Sequence, residues 1–207
     1  MSDAPIDRIQ RLLSRLAQAL GRHGILLLTL AAGLVPALLL ALVAGGVYEA
    51  VAEEDGVAVL DHPVLAAAKS LRSPGLDTAL TWLTNLGGTI GLPILAAAAV
   101  AVLCRWQRSW TPLILTASAA AGSLLMTVAG KALVGRSRPP LTDAVPPYEY
   151  SASFPSGHSL NSVVVGGTIA YLLFIYLESK RARIITVLMA AVFIAAVGLS
   201  RVYLGHH

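Results

Sequence analysis

Between Gly130 and His158 an otherwise apolar chain collects Lys131, Arg136, Arg138, the pair Ser156-Gly157 and His158. A second polar group, Ser200-Arg201, closes a later apolar run and is followed by His206 and His207. Ionisable side chains at the ends of membrane helices cost free energy unless partnered, so they read as functional by default. Cations and imidazoles gathered with few acids beside them ask for an anion, and phosphate is the obvious one.

Lys131 and Arg138 lie seven residues apart, which in a continuous helix is nearly one azimuth, two turns apart, roughly 10 Å along the axis. Gly135 and the Pro139-Pro140 pair are expected to break that helix, letting Arg138 fold back toward Lys131. Arginine offers a planar fork of donors to phosphate oxygens, and lysine a compact point charge. Arg136 by itself reads as an interfacial cation. Pro155-Ser156-Gly157-His158 runs straight into an apolar block. A helix start there would present free N–H groups to an anion, with proline suited to the first position. Gly157 permits close backbone approach, Ser156 adds a hydroxyl donor, and His158 stands where it could protonate a leaving-group oxygen. Arg201 and His207 are six residues apart, off-face on one helix, so the last helix is expected to end near Leu204-Gly205. A neutral imidazole is a competent nucleophile toward phosphorus, giving a phosphohistidine and splitting hydrolysis into two steps.

The elements that must position these groups are membrane helices. The 207 residues have a mean hydropathy of +0.73 and only 13% charged residues, which excludes an ordinary soluble domain. Five uncharged blocks, Gly24–Tyr48, Ala79–Cys104, Ser109–Gly130, Ser159–Leu177 and Ile184–Ser200, each approach spanning length. Pro36 and Pro93 lie inside two of them as tolerated kinks. The small-residue run Ala117–Gly122 predicts a closely packed central helix, and Trp82, Trp106 and Trp110 flank block ends as interfacial anchors do. Residues 5–22 carry apolar positions at helical spacing with arginines off the stripe, which predicts a basic amphipathic helix on an anionic membrane surface. No cleavable signal peptide is evident, there is no β-alternation, and Cys104, the single cysteine, reads as an apolar filler. The expected architecture is all-α: a polytopic integral membrane bundle with five spanning helices, a cytoplasmic amphipathic segment at 1–23 and one membrane domain at 24–207.

The lysine and arginine bias of the short loops puts the N-terminus in the cytoplasm and Lys131, Arg138, His158 and Arg201 on the extracytoplasmic face. The loop Ala50–Thr78 places Val64, Leu65, Ala68 and Leu71 for a short interfacial packing helix on that side. Asp143 and Glu149 read as solvated loop charges, and His23 as an interfacial bystander. A metal site from His62, His158, His206 and His207 is rejected for its scattered spacing and lack of supporting acids.

These residues resemble the type-2 phosphatidic acid phosphatase superfamily, the lipid phosphate phosphatases. The three-part signature of that family is Lys-x6-Arg-Pro, Pro-Ser-Gly-His and Ser-Arg-x5-His-x3-Asp. It is met by Lys131…Arg138-Pro139, Pro155-Ser156-Gly157-His158 and Ser200-Arg201…His207. The resemblance implies His207 as nucleophile and His158 as general acid, with Lys131, Arg138, Ser156, Gly157 and Arg201 holding phosphate oxygens. His206 falls at a variable family position. It also implies no metal and no other cofactor, a place in the plasma membrane, and hydrolysis of a lipid phosphomonoester or pyrophosphate. Candidate substrates are phosphatidic acid, phosphatidylglycerol phosphate and prenyl diphosphates. One departure stands out: the orienting Asp and the sixth helix of the family would fall beyond His207, as in a C-terminally truncated chain. A non-catalytic lipid-phosphate binding or transport protein is the alternative. The implied partners are a lipid phosphate and the bilayer, not nucleic acid.

Overall fold

A computed structural model describes residues 59–206, together with Gly46 and Glu49. The amphipathic stretch 5–22, His23, the first apolar block apart from Gly46, and His207 lie outside the described residues, as does the side chain of His62. Among the described residues every regular element is helical. In chain order these are α1 (Asp61–Ser70), α2 (Pro74–Leu86), α3 (Gly91–Gln107), α4 (Thr111–Val134), α5 (Gly157–Tyr176) and α6 (Lys180–Tyr203), with a 3-10 turn at Leu141–Asp143.

Three of them, α4, α5 and α6, are long and apolar enough to cross a membrane. The pair α2 and α3 passes the same test jointly, bent by 51° across the break between them. Local sequence explains each start. Ser73 caps α2, accepting from the Leu76 N–H, with Pro74 in the first turn and Asp77 favourably placed against the helix dipole. Ser179 caps α6 in the same way, accepting from the Ala182 N–H. The break between α2 and α3 falls at Gly87–Ile90, a turn before Pro93. The block Ala79–Cys104 is therefore divided between two helices, and the sharp bend falls at Gly87–Ile90 and not at Pro93. The glycine pair Gly87-Gly88 weakens the helix there, and Pro93 lands in the first turn of α3, where a missing N–H costs nothing.

α5 is the helix that touches most of the bundle. It packs against α4 and α6 and reaches α3, and α6 in turn packs against α1 and α2. Leu92 and Ala96 of α3 meet Val165 of α5 in a small core, closed by Ala120, Ile169 and Phe193. In the middle of α5, Ser162–Gly166 forms a π turn, a wider coil that accommodates one extra residue. The Thr168 hydroxyl donates to the Val164 carbonyl (2.6 Å) beside it.

The central position expected for the small-residue helix goes to α5 instead. Along α4 only the stripe Pro112, Thr116, Ser123 and Thr127 is buried, while Ala117, Ser118, Ala121 and Gly122 are exposed among the described residues. Of that small-residue run Ala120 packs against α3, and a cavity of about 680 Å³ bordered by Ala117 and Ala120 lies between the two helices. Trp82, Trp106 and Trp110 are all exposed, and Trp106 meets Tyr176 edge-to-face at 6.5 Å.

α1 is the short helix expected in the 50–78 loop. Lys69 forms an ion pair with Asp143. Arg72 donates to the Tyr203 carbonyl (2.9 Å) and the Asp143 carbonyl (2.8 Å), fastening α1 to the end of α6.

Candidate active site

Four segments converge at one end of the spans, the last turn of α4, the chain that follows it, the first turn of α5 and the last turn of α6. α4 stops because Gly135 takes a left-handed conformation (φ 62°), its N–H closing on the Lys131 carbonyl. The chain then turns back, as the glycine and paired prolines suggest, and Lys131 and Arg138 meet on one residue. Lys131 Nζ donates to Ser151 Oγ (2.6 Å), and Arg138 Nε donates to the Ser151 carbonyl (2.7 Å). Ser153, almost fully buried, pins this return. Its N–H donates to the Arg136 carbonyl (2.9 Å) and its hydroxyl to the Ser137 carbonyl (2.9 Å). Pro155 rests on α4 at Gly130, where any Cβ would stand 2.7 Å from the Pro155 ring. Only glycine fits that contact without a shift.

Ser156 is the N-cap of α5, accepting from the Ser159 N–H (3.4 Å) and the Ser159 hydroxyl (3.1 Å), which leaves its own proton uncommitted among the described residues. The Gly157 N–H is thereby in the first turn of the helix, with positive dipole potential behind it. His158 comes next. Its Nδ1 lies 3.7 Å from Glu149 Oε1, while its Nε2 side faces the α2–α3 break, where a Cβ on Gly88 would be 3.0 Å away. Arg201, from the last turn of α6, is only 3% exposed. Its Nη2 donates to Glu149 Oε1 (2.6 Å), and its Nε has no partner among the described residues.

α6 ends at Tyr203, and Gly205 (φ 73°) turns the chain, as expected for Leu204-Gly205. The His206 N–H donates to the Arg201 carbonyl (3.0 Å), and its carbonyl accepts from Arg138 Nη1. The His206 imidazole is buried and pushed down to about 4, by burial first and then by Arg201 and Arg138, with Glu149 opposing. It is neutral at neutral pH. The expected nucleophile His207 is the next residue and lies outside the described residues.

Arg138, His158 and Arg201 thus come together, with Lys131 joined to them through Ser151. What they surround is Glu149. Its Oε2 accepts from Arg138 Nη2 (2.9 Å), and its Oε1 is shared by Arg201 and the His158 side. Burial opposes its ionisation, but Arg201, His158 and Arg138 outweigh that and hold the carboxyl below its ordinary range. The reading of Asp143 and Glu149 as solvated loop charges is therefore corrected: Asp143 pairs with Lys69, and Glu149 stands at the centre of the cluster. Arg136 is likewise an ion-pair partner, of Asp61. Charge accounting was the signal for Glu149, the one acid between Asp143 and the Pro-Ser-Gly-His run in a stretch flanked by cations. Among the described residues no group of three or more His, Cys, Asp or Glu side chains could hold a metal ion.

Spanning helices, a cation cluster and a histidine at a helix start define a membrane-embedded phosphatase, a hydrolase. Residues 111–207 match the family model of the PAP2 superfamily. The chain is 35% identical over 149 residues to phosphatidylglycerophosphatase B of Bacillus subtilis (strain 168), covering 71% of each protein. It is also similar to the crystal structure of a transmembrane PAP2 type phosphatidylglycerolphosphate phosphatase from Bacillus subtilis. That match has a TM-score of 0.68 and 32% identity, over 75% of this chain and 77% of the other. The chain belongs to the PAP2 superfamily.

Proposed function

We propose that the protein is a membrane lipid phosphatase that removes the terminal phosphate of phosphatidylglycerol phosphate through a phosphohistidine. The substrate is suggested by the two Bacillus subtilis phosphatases it resembles. The observation that carries the chemistry is the meeting of Arg138, Arg201 and His158 on a single carboxylate, a place already shaped for an anion. In this reading the His207 imidazole attacks phosphorus and forms an N–P bond while the ester P–O bond breaks. His158 gives its proton to the departing alkoxide. Lys131, Arg138, Arg201, the Ser156 hydroxyl and the Gly157 N–H stabilise charge on the equatorial oxygens. Water, deprotonated by His158, then cleaves the N–P bond and releases inorganic phosphate. No metal takes part. The N-terminus is cytoplasmic and the site faces the extracytoplasmic side of the plasma membrane, so that the lipid keeps its chains in the bilayer.

The test is phosphate release by the purified protein from phosphatidylglycerol phosphate, phosphatidic acid and a prenyl diphosphate in mixed micelles, with and without a chelator. Phosphatidylglycerol phosphate is expected to turn over fastest, unaffected by the chelator. His158→Ala should lose about a hundredfold or more in rate, and His207→Ala should yield no acid-labile phosphoprotein. Binding of all three lipids with no release would instead mark a lipid-phosphate binder.

A further inference from the structure

We propose that Glu149 is a built-in competitor for the phosphate seat: its carboxylate holds Arg138, Arg201 and His158 while the site is empty, swings away when substrate phosphate binds, and returns to drive inorganic phosphate out. This rests on the reading of that cluster as the phosphate site.

The geometry supplies the argument. Three groups expected to face a phosphate, Arg138 Nη2, Arg201 Nη2 and the His158 ring, instead face the two oxygens of one side chain. The remaining Arg138 donors are committed to backbone, Nε to the Ser151 carbonyl and Nη1 to the His206 carbonyl. Nη2, whose other acceptors, the Ser151 hydroxyl and the Ala152 carbonyl, stand farther off at 3.4 Å, is the Arg138 donor that Glu149 holds and that a ligand would take over. A phosphomonoester carries close to two negative charges at neutral pH. A dianion and a carboxylate on the same donors repel strongly, so the two occupancies exclude one another.

Glu149 is also free to leave. The flanking chain is anchored on both sides, by the Val145 N–H on the Leu204 carbonyl (2.8 Å) and by the buried Ser153. Between these anchors Tyr148 and Tyr150 are exposed, and 28% of the Glu149 side chain is open to solvent. Rotation about its own side-chain bonds suffices to carry the carboxylate out of the cluster. A charged site that must release a doubly charged product gains from an internal anion that takes over the cations as the product departs. It pays with weaker apparent affinity, because a ligand meets a free seat only in the fraction of molecules whose carboxylate is out.

The experiment compares wild type with Glu149→Gln, which keeps the shape and removes the charge. Inhibition by inorganic phosphate and by orthovanadate is measured beside KM, kcat and thermal stability in detergent. Both inhibition constants and KM should fall about tenfold if the seat is held about nine-tenths of the time. The kcat should fall with them, as product leaves more slowly. Glu149→Asp keeps the charge on a shorter arm and should tighten both inhibitors by a smaller factor; it serves on its own if the glutamine variant does not fold. Inhibition constants unchanged or raised in a folded variant would overturn the proposal and make Glu149 a brace for the arginines. A wild-type protein that neither anion inhibits would overturn the phosphate-site reading itself.

Discussion

Arg201 shows how much a single side chain is asked to do at the end of a span. It is buried, gives one donor to Glu149 and offers its carbonyl to His206. A lysine there would keep the charge but lose the fork. Arg201→Lys is expected to cut kcat/KM by roughly a hundredfold, the scale of losing one preorganised donor to a developing oxyanion, with little change in melting temperature. His206 makes a different prediction. Its folded value of about 4 lies below its ordinary 6.5, so between those values the unfolded chain binds a proton that the folded protein refuses. Stability should be flat above pH 6.5 and decline as pH falls toward 4, and Glu149, also depressed, adds to the loss at the acid end. Melting temperatures at pH 7 and 5 should separate more for wild type than for His206→Asn. At this scale the convergence of Lys131, Arg138, His158 and Arg201 was legible, because their types and spacing mark the ends of the helices that meet there. Glu149 was not, because its part depends on how a loop without any periodic pattern folds back over the cluster.

Among the elements, the break between α2 and α3 is the one that lies against His158. It brings Gly88 against the Nε2 side of His158, where a methyl group would sit 3.0 Å from that nitrogen. Gly88→Ala should therefore lower kcat several-fold by turning the ring, while the protein remains folded; kinetics beside a thermal melt check this. Gly130→Ala acts differently, driving Pro155 off α4, and should cost about 1–3 kcal/mol of stability, as overpacked sites do. Gly135 and the Pro139-Pro140 pair announced the end of α4, whereas the break at Gly87–Ile90 went unread because Pro93 drew the expected kink to itself. The packing of α4 was harder to see. A run such as Ala117–Gly122 announces that neighbours can come close, but not how many are there: Ala120 packs on the core, Ala117 borders a cavity, and Ser118, Ala121 and Gly122 are exposed. The spans α4, α5 and α6 were plain, since long uncharged blocks have few other physical outcomes in a bilayer.

For the molecule as a whole, the cations at the cluster end of the helices divide into two sets. Lys69, Arg72 and Arg136 fasten the surface helix α1 and its surroundings through Asp143, Tyr203 and Asp61, while Lys131, Arg138 and Arg201 serve the cluster. That division supports the proposed orientation, because structural pairing accounts for cations that would otherwise dilute the charge bias. A cysteine at the exposed Thr142 should react with an impermeant thiol reagent from outside intact cells; labelling only after lysis would reverse the orientation. The widened turn at Ser162–Gly166 has a consequence for the same whole. It lies along α5 between His158 and the buried Leu172. Because the wide turn absorbs one residue, excising Val164 would let the coil relax to its common pitch while the stretches of α5 on either side keep their facing. The shortened protein should still insert, resist heat and release phosphate, its imidazole turned to the arginines as before: a spare link taken from a chain that hangs as it did.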